Sequence, residues 1–125
     1  MPNGDTITLL GGGMIDEDYG ATEYRRNGSS FLRIEKSVGR KPDGKPIWST
    51  RARLALPQTD SSQRLLFAGM CGTDNKSDRF VLAIAVTEGD SVYRDIRHAW
   101  RFERANETLR QIATNNVACW DIGPD

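Results

Sequence analysis

The sequence predicts an all-β protein, an antiparallel sandwich or barrel of about seven short strands. Three observations predict it. Apolar and polar residues alternate with period two in many places, as in strands with one buried face. Turn-forming residues separate those stretches, and the chain holds 12 Gly and 5 Pro. Neither an internal repeat nor a low-complexity segment interrupts the pattern. The 125 residues suit a single domain over 1–125 with a mobile N-terminal stretch over about residues 1–5. A chain of this size buries roughly two-thirds of the surface it exposes when unfolded.

Taken in order, residues 6–10 read as a first short strand, stopped by Gly11, Gly12 and Gly13. Residues 31–35 follow the turn-like Asn27-Gly28-Ser29. Pro42-Asp43-Gly44 is a turn with physical causes: proline fixes φ, aspartate bonds its own backbone, and glycine takes positive φ. It joins the strand near Ile34 to residues 47–54 and predicts a hairpin. Residues 57–62 form a loop. The two most apolar runs, 65–71 and 80–86, flank the polar segment 72–78 and read as central strands. Together they are expected to form the core hairpin.

The last third admits two patterns. As a strand, Val92, Arg94, Ile96, His98, Trp100 and Phe102 share a face. As a helix, Val92, Tyr93, Ile96, Ala99 and Trp100 form a stripe. The alternation Trp100-Arg101-Phe102-Glu103 favours the strand, turned back by Ala105-Asn106-Glu107 into 108–112 and closed by 117–120. The alternative is an α+β domain with one helix near 93–112, with Asn106 available as a cap.

The N-terminus has neither the basic start nor the apolar stretch of a signal peptide. Two readings follow: a cytoplasmic protein, or the mature form of a periplasmic or secreted one with its signal peptide removed. The two cysteines, Cys71 and Cys119, have no Cys-x-x-Cys or Cys/His neighbourhood, so zinc and redox motifs are unsupported. They are either buried thiols or one disulfide. The disulfide is favoured, and it implies export to an oxidising compartment. No apolar run approaches the roughly 20 residues a membrane helix needs.

The formal net charge is +0, which argues against a protein held to nucleic acid or membrane by bulk charge. The charges are nevertheless segregated. Residues 1–24 carry Asp5, Asp16, Glu17, Asp18 and Glu23 and no base. Residues 25–64 carry Arg25, Arg26, Arg33, Lys36, Arg40, Lys41, Lys45, Arg51, Arg53 and Arg64 against Glu35, Asp43 and Asp60. A basic face on the first hairpin, meeting an acidic protein partner, is the functional reading. Folding back of the acidic segment, or ordinary solvated strand faces, are the plain ones. The candidate partner-binding residues are Tyr24, Arg25, Arg26, Arg51 and Arg53, since Arg, Tyr and Trp are favoured at binding hot spots. Nucleic-acid binding through these arginines is a third, disfavoured reading, because it needs exposed aromatics among the bases. Trp48 and Phe31 are expected to point inward.

Catalytic patterns are missing. His98 is the one histidine, and its apolar neighbours suggest packing. An alternative is a small ligand-binding barrel or enzyme using His98 with Tyr93 and Asp95. Asp16-Glu17-Asp18 lacks the EF-hand spacing. Gly11-Gly12-Gly13 fits no phosphate-loop pattern, and no Gly-x-Ser-x-Gly occurs. No catalytic residue, metal or cofactor is therefore expected. Asn27-Gly28-Ser29, Asn75-Lys76-Ser77 and Asn106-Glu107-Thr108 match the glycosylation pattern, but they fall in predicted turns where such residues gather anyway.

Arg97-His98-Ala99-Trp100-Arg101-Phe102, then Ile112, then Val117-Ala118-Cys119, resembles the ending of small exported, largely uncharacterised proteins of Gram-negative bacteria. The resemblance implies export and a disulfide, and no activity. The expectation is a non-enzymatic exported β-domain acting by protein binding, in the manner of inhibitors, immunity proteins or surface antigens.

Overall fold

Alternating sequence and local turn chemistry produce twelve β-strands and no helix among residues 7–87 and 92–120, which the computed structural model describes. The expected N-terminal stretch 1–5, and Thr6 of the first expected strand, lie outside the described residues. The chain divides into two compact units, residues 1–58 and 59–125. All strand pairs are antiparallel.

Unit 1 is a four-stranded sheet of β1 (Ile7–Met14), β2 (Tyr19–Arg26), β3 (Ser29–Arg40) and β4 (Pro46–Ala55), in that spatial order. Each turn has an identifiable cause. Asp16 Oδ1 accepts hydrogen bonds from the Asp18 and Tyr19 amides, both at 2.8 Å, so the acidic triplet builds the β1–β2 turn. Asn27 (φ 52°) and Gly28 (φ 82°) both adopt positive φ, the geometry of a two-residue hairpin turn. At the β3–β4 turn, Gly44 has φ 89° and Asp43 Oδ1 accepts from the Lys45 amide at 3.0 Å. Two expectations need correction. The first strand is not stopped by the glycines: Gly11, Gly12 and Gly13 pair with Glu23, Thr22 and Ala21. A close approach explains the glycine at position 12, where a Cβ would come within 3.1 Å of the Ala21 carbonyl oxygen, but not the one at 11, where a Cβ would meet open space. Strand β2 has no counterpart in the sequence reading.

Unit 2 contains two four-stranded sheets. One orders β11 (Thr108–Gln111), β10 (Ile96–Glu103), β8 (Val81–Val86) and β5 (Gln63–Leu66). The other orders β7 (Lys76–Ser77), β6 (Cys71–Thr73), β12 (Val117–Trp120) and β9 (Val92–Tyr93). They share a core of Leu66, Cys71, Val81, Ala83, Ala85, Tyr93, Ile96, Ala99, Val117 and Cys119, the sandwich arrangement. Neither sheet closes on itself, so the fold is not a barrel. Residues 81–85 of β8 are buried on both faces, as their continuous apolar run requires.

The predicted core hairpin forms only in part. Leu65 and Leu66 pair with Ile84 and Ala83. Ala68 (φ 60°) and Gly69 (φ 93°) then turn the chain, and Cys71 pairs with Cys119 instead. The helix alternative near 93–112 is overturned, because that segment forms β9, β10 and β11. A bulge at Arg97 shifts the register between Ile96 and His98. It separates Ile96 from the face of His98 and Trp100 and places it in the core with Ala99.

Gly72 is a second glycine that pairing dictates. A Cβ there would meet the Lys76 carbonyl oxygen and carbon and the Ser77 Cα closer than atoms can pack. Gly72→Ala is therefore expected to destabilise the protein by about 1–3 kcal/mol, the range for overpacking, read by chemical denaturation. At the start of unit 2, hydrogen bonds from the Ser62 hydroxyl and amide hold the exposed Asp60 carboxyl below the usual aspartate value. A depressed folded-state pKa adds stability at neutral pH that is lost as pH falls through that value. Ser62→Ala, followed by carboxyl NMR titration, is expected to raise the Asp60 pKa.

Candidate functional site

The register of unit 1 sorts its side chains onto two faces. Tyr19, Ala21, Leu32 and Ile34 occupy one face and are almost fully buried, with Leu32 and Ile34 at 0% exposure. The other face is open. Its cross-strand rows run Met14–Gly20–Glu35–Thr50, then Gly12–Thr22–Arg33–Arg53, then Leu9–Tyr24–Phe31–Ala55.

Along the middle of the open face the side chains support one another. Tyr24 stacks on Phe31 with centroids 5.5 Å apart and planes at 20°. The Arg33 guanidinium lies over the Tyr24 ring at 5.4 Å, a cation–π contact. Arg33 Nε faces Glu35 Oε1 at 3.5 Å, and the Thr22 hydroxyl donates to the same oxygen at 3.2 Å. Arg33 and Arg53 stand directly opposite each other. Like charges so placed repel; Arg33 turns to Glu35, and Arg53 is exposed.

Beside this row, Met14 and Trp48 lean across Gly20. A Cβ on Gly20 would touch Met14 Sδ at 3.5 Å and Trp48 Cη2 at 3.7 Å. The missing side chain leaves an open groove of about 220 Å³ between them, with Thr22 and Glu35 at its polar end. Ligand sites for drug-sized molecules run to roughly 300–1,000 Å³ and enclose their occupant. This groove is smaller and open, a fit for one side chain of a larger partner. Trp48, expected to point inward, is instead 39% exposed. The bulge at Arg51, between the pairs Ile34–Ala52 and Glu35–Thr50, resets the alternation along β4 and turns Trp48 to the open face.

Among the described residues, the exposed large hydrophobics other than Val92 (Ile7, Leu9, Leu10, Met14, Val38, Ile47 and Trp48) all belong to unit 1. By register Ile7, Leu9, Met14 and Trp48 share the open face, Leu10 and Val38 are bulged residues, and Ile47 belongs to the opposite face. Scattered apolar side chains are ordinary on a surface, whereas gathered ones mark interaction sites.

The sequence-selected residues do not form a single patch. Tyr24 is 8% exposed and sits beneath Arg33, so it supports the face. Arg26 and Arg53 belong to the open face by register, while Arg25 alternates to the opposite one. Arg51 is the extra residue of a bulge between Ile34 and Glu35. Met14, Gly20 and Trp48 escaped sequence reasoning; the available signal was the Gly-rich β1 facing a strand that itself carries a glycine. Cys71 and Cys119 form the disulfide, with Cα atoms 3.9 Å apart.

His98 stacks on Trp100, with centroids 5.9 Å apart and planes at 14°. It lines neither the groove at Gly20 nor those formed around 73–80 and around Trp120. In unit 2, arginines are engaged in ion pairs: Arg101 with Asp78 at 3.3 Å and Glu103 at 3.2 Å, and Arg110 with Glu103 at 2.8 Å. Among the described residues no group of His, Cys, Asp and Glu is arranged to hold a metal ion, and no helix is long and apolar enough to cross a membrane. No known protein family, curated protein or solved structure matches the chain.

Proposed function

We propose that this chain is an exported, non-catalytic β-protein that binds another protein through the open face of unit 1. The observation that carries the reading is the set of exposed apolar side chains there, Ile7, Leu9, Met14 and Trp48, with a glycine-floored groove between Met14 and Trp48 and Arg53 exposed on the same face. Such a surface offers an apolar anchor point for a partner side chain and a bidentate donor for a partner carboxylate. The partner is acidic where it meets Arg53, Arg26 and the bulged Arg51. Export rests on the Cys71–Cys119 disulfide, which persists in the periplasm or outside the cell and is rare in a reducing cytosol. Inhibitors, immunity proteins and surface antigens work by this kind of recognition.

Affinity capture from the native source tests the proposal when wild type is compared with Trp48→Ala, Arg53→Glu and the unit 2 control Arg94→Glu. A protein retained by wild type and control but lost from both face variants is the expected result. A protein retained equally by all four sinks the assignment of the face.

A further inference from the structure

Strand β1 ends its sheet, so the backbone groups along its outer side have no strand beside them among the described residues. Exposed sheet edges invite pairing, and proteins guard them with charge, proline or bulges. The opposite edge, β4, carries Pro46, Arg51 and Arg53. By contrast β1 reads Ile-Thr-Leu-Leu-Gly-Gly-Gly-Met, without a charge. It exposes Ile7 (50%), Leu9 (64%), Leu10 (40%) and Met14 (48%). Its first half is bulky and its second half is mostly glycine.

We infer that the occupant of this edge is a second copy of the chain, paired β1 to β1 antiparallel about a two-fold axis between Leu10 and Gly11. Three features of the strand select that partner and that register. First, β1 is uncharged, so two copies meet without repulsion. Second, pairing about this axis sets Ile7 opposite Met14, Thr8 opposite Gly13, Leu9 opposite Gly12 and Leu10 opposite Gly11. Each bulky leucine then lies across a glycine of the other copy, the self-complementarity an isologous interface requires.

The third feature is the bulge. Directly opposite residues of neighbouring strands must point to the same face. In an unbroken strand, period two forbids pairing residue 7 with 14 or 9 with 12, because they point to opposite faces. Here the register shifts between Leu9 and Gly11, with Leu10 as the extra residue. Ile7, Leu9, Gly12 and Met14 therefore all belong to the open face, and Thr8 and Gly13 both belong to the other. The bulge, ordinarily a guard against edge pairing, makes this one register face-consistent. The product is a continuous sheet whose two Gly20 grooves open on the same side, so a partner with two sites gains from avidity.

The register is tested with two single variants, Ile7→Cys and Met14→Cys, mixed in an oxidising glutathione buffer. Opposite residues in antiparallel strands are close enough for a disulfide. Residue 7 of one copy and residue 7 of the other are about 23 Å apart in this register. A cross-linked dimer in the mixture, and none from either variant alone, is expected. Sedimentation equilibrium of wild type should show a dimer, and Leu9→Lys should weaken it roughly 100-fold, since two leucines, each partly covered across Gly12 of the other copy, are lost. Leu9 is exposed in the monomer, so the variant keeps its fold, which circular dichroism checks. A wild type that stays monomeric at its highest soluble concentration overturns the inference, as does cross-linking of Ile7→Cys to itself. Neither outcome bears on the partner face, which Trp48→Ala tests separately.

Discussion

Replacing Cys71 and Cys119 together by alanine is expected to lower the unfolding free energy by about 4 kcal/mol, the chain-entropy value for a loop of this size. The two cysteines are 48 positions apart in sequence, and both are fully buried. They oppose each other in register, so the bond ties β6 to β12 across the interval that contains β8, β10 and β11. Without it, the unfolded chain regains the freedom that closing this loop removes. Both partners must be changed, because a single substitution leaves a reactive thiol in the core. Denaturation of wild type with and without reductant gives the same comparison, and the double variant should be insensitive to reductant. A loss below about 1 kcal/mol would mean that sheet packing alone holds unit 2 and that the bond constrains little.

Trp48→Ala is expected to weaken partner binding by at least about 2 kcal/mol, roughly 30-fold. Truncation removes one wall of the Gly20 groove and the largest exposed aromatic surface on the open face. The cost to folding should be small, because much of the ring is already in solvent. Gly20→Leu provides an independent check. It fills the groove from below, and a Cβ there makes only ordinary contacts, the nearest at 3.5 Å. Arg53→Glu should act differently, slowing association and changing its salt dependence, as charges at an interface rim do. Titration of the captured partner against each variant reads all three. Equal affinities for wild type, Trp48→Ala and Gly20→Leu would remove the groove from the interface.

The parts of the fold legible in the sequence are those with local causes. Pro42-Asp43-Gly44 specified its turn because proline, the aspartate side chain and glycine each act within the turn itself. The run 81–85 specified a buried strand because no other placement hides it from water. Chemistry that depends on pairing was not legible. Glycine weakens an isolated strand, yet 11–13 remain in β1 because β2 is hydrogen-bonded beside them. The sequence Tyr-Gly-Ala-Thr-Glu-Tyr of β2 gives little alternation, since glycine and threonine occupy the open face opposite tyrosine and alanine. The bulges at Leu10, Val38, Arg51 and Arg97 each reset the period of two. For that reason the sequence pointed Trp48 inward and grouped Ile96 with His98. The candidate site suffered most: arginines stand out by charge, whereas a groove made by the absence of a side chain becomes visible only when β1 and β4 converge over Gly20.

Hydroxyl-radical footprinting of the protein with and without its captured partner tests recognition through unit 1 most directly. Met14 and Trp48 are reactive side chains exposed on the open face, and Trp120 in unit 2 serves as an internal reference. Protection of Met14 and Trp48 on binding, with Trp120 unchanged, is the predicted result. Protection confined to Trp120 and its neighbours, with Met14 and Trp48 oxidised as before, would contradict it.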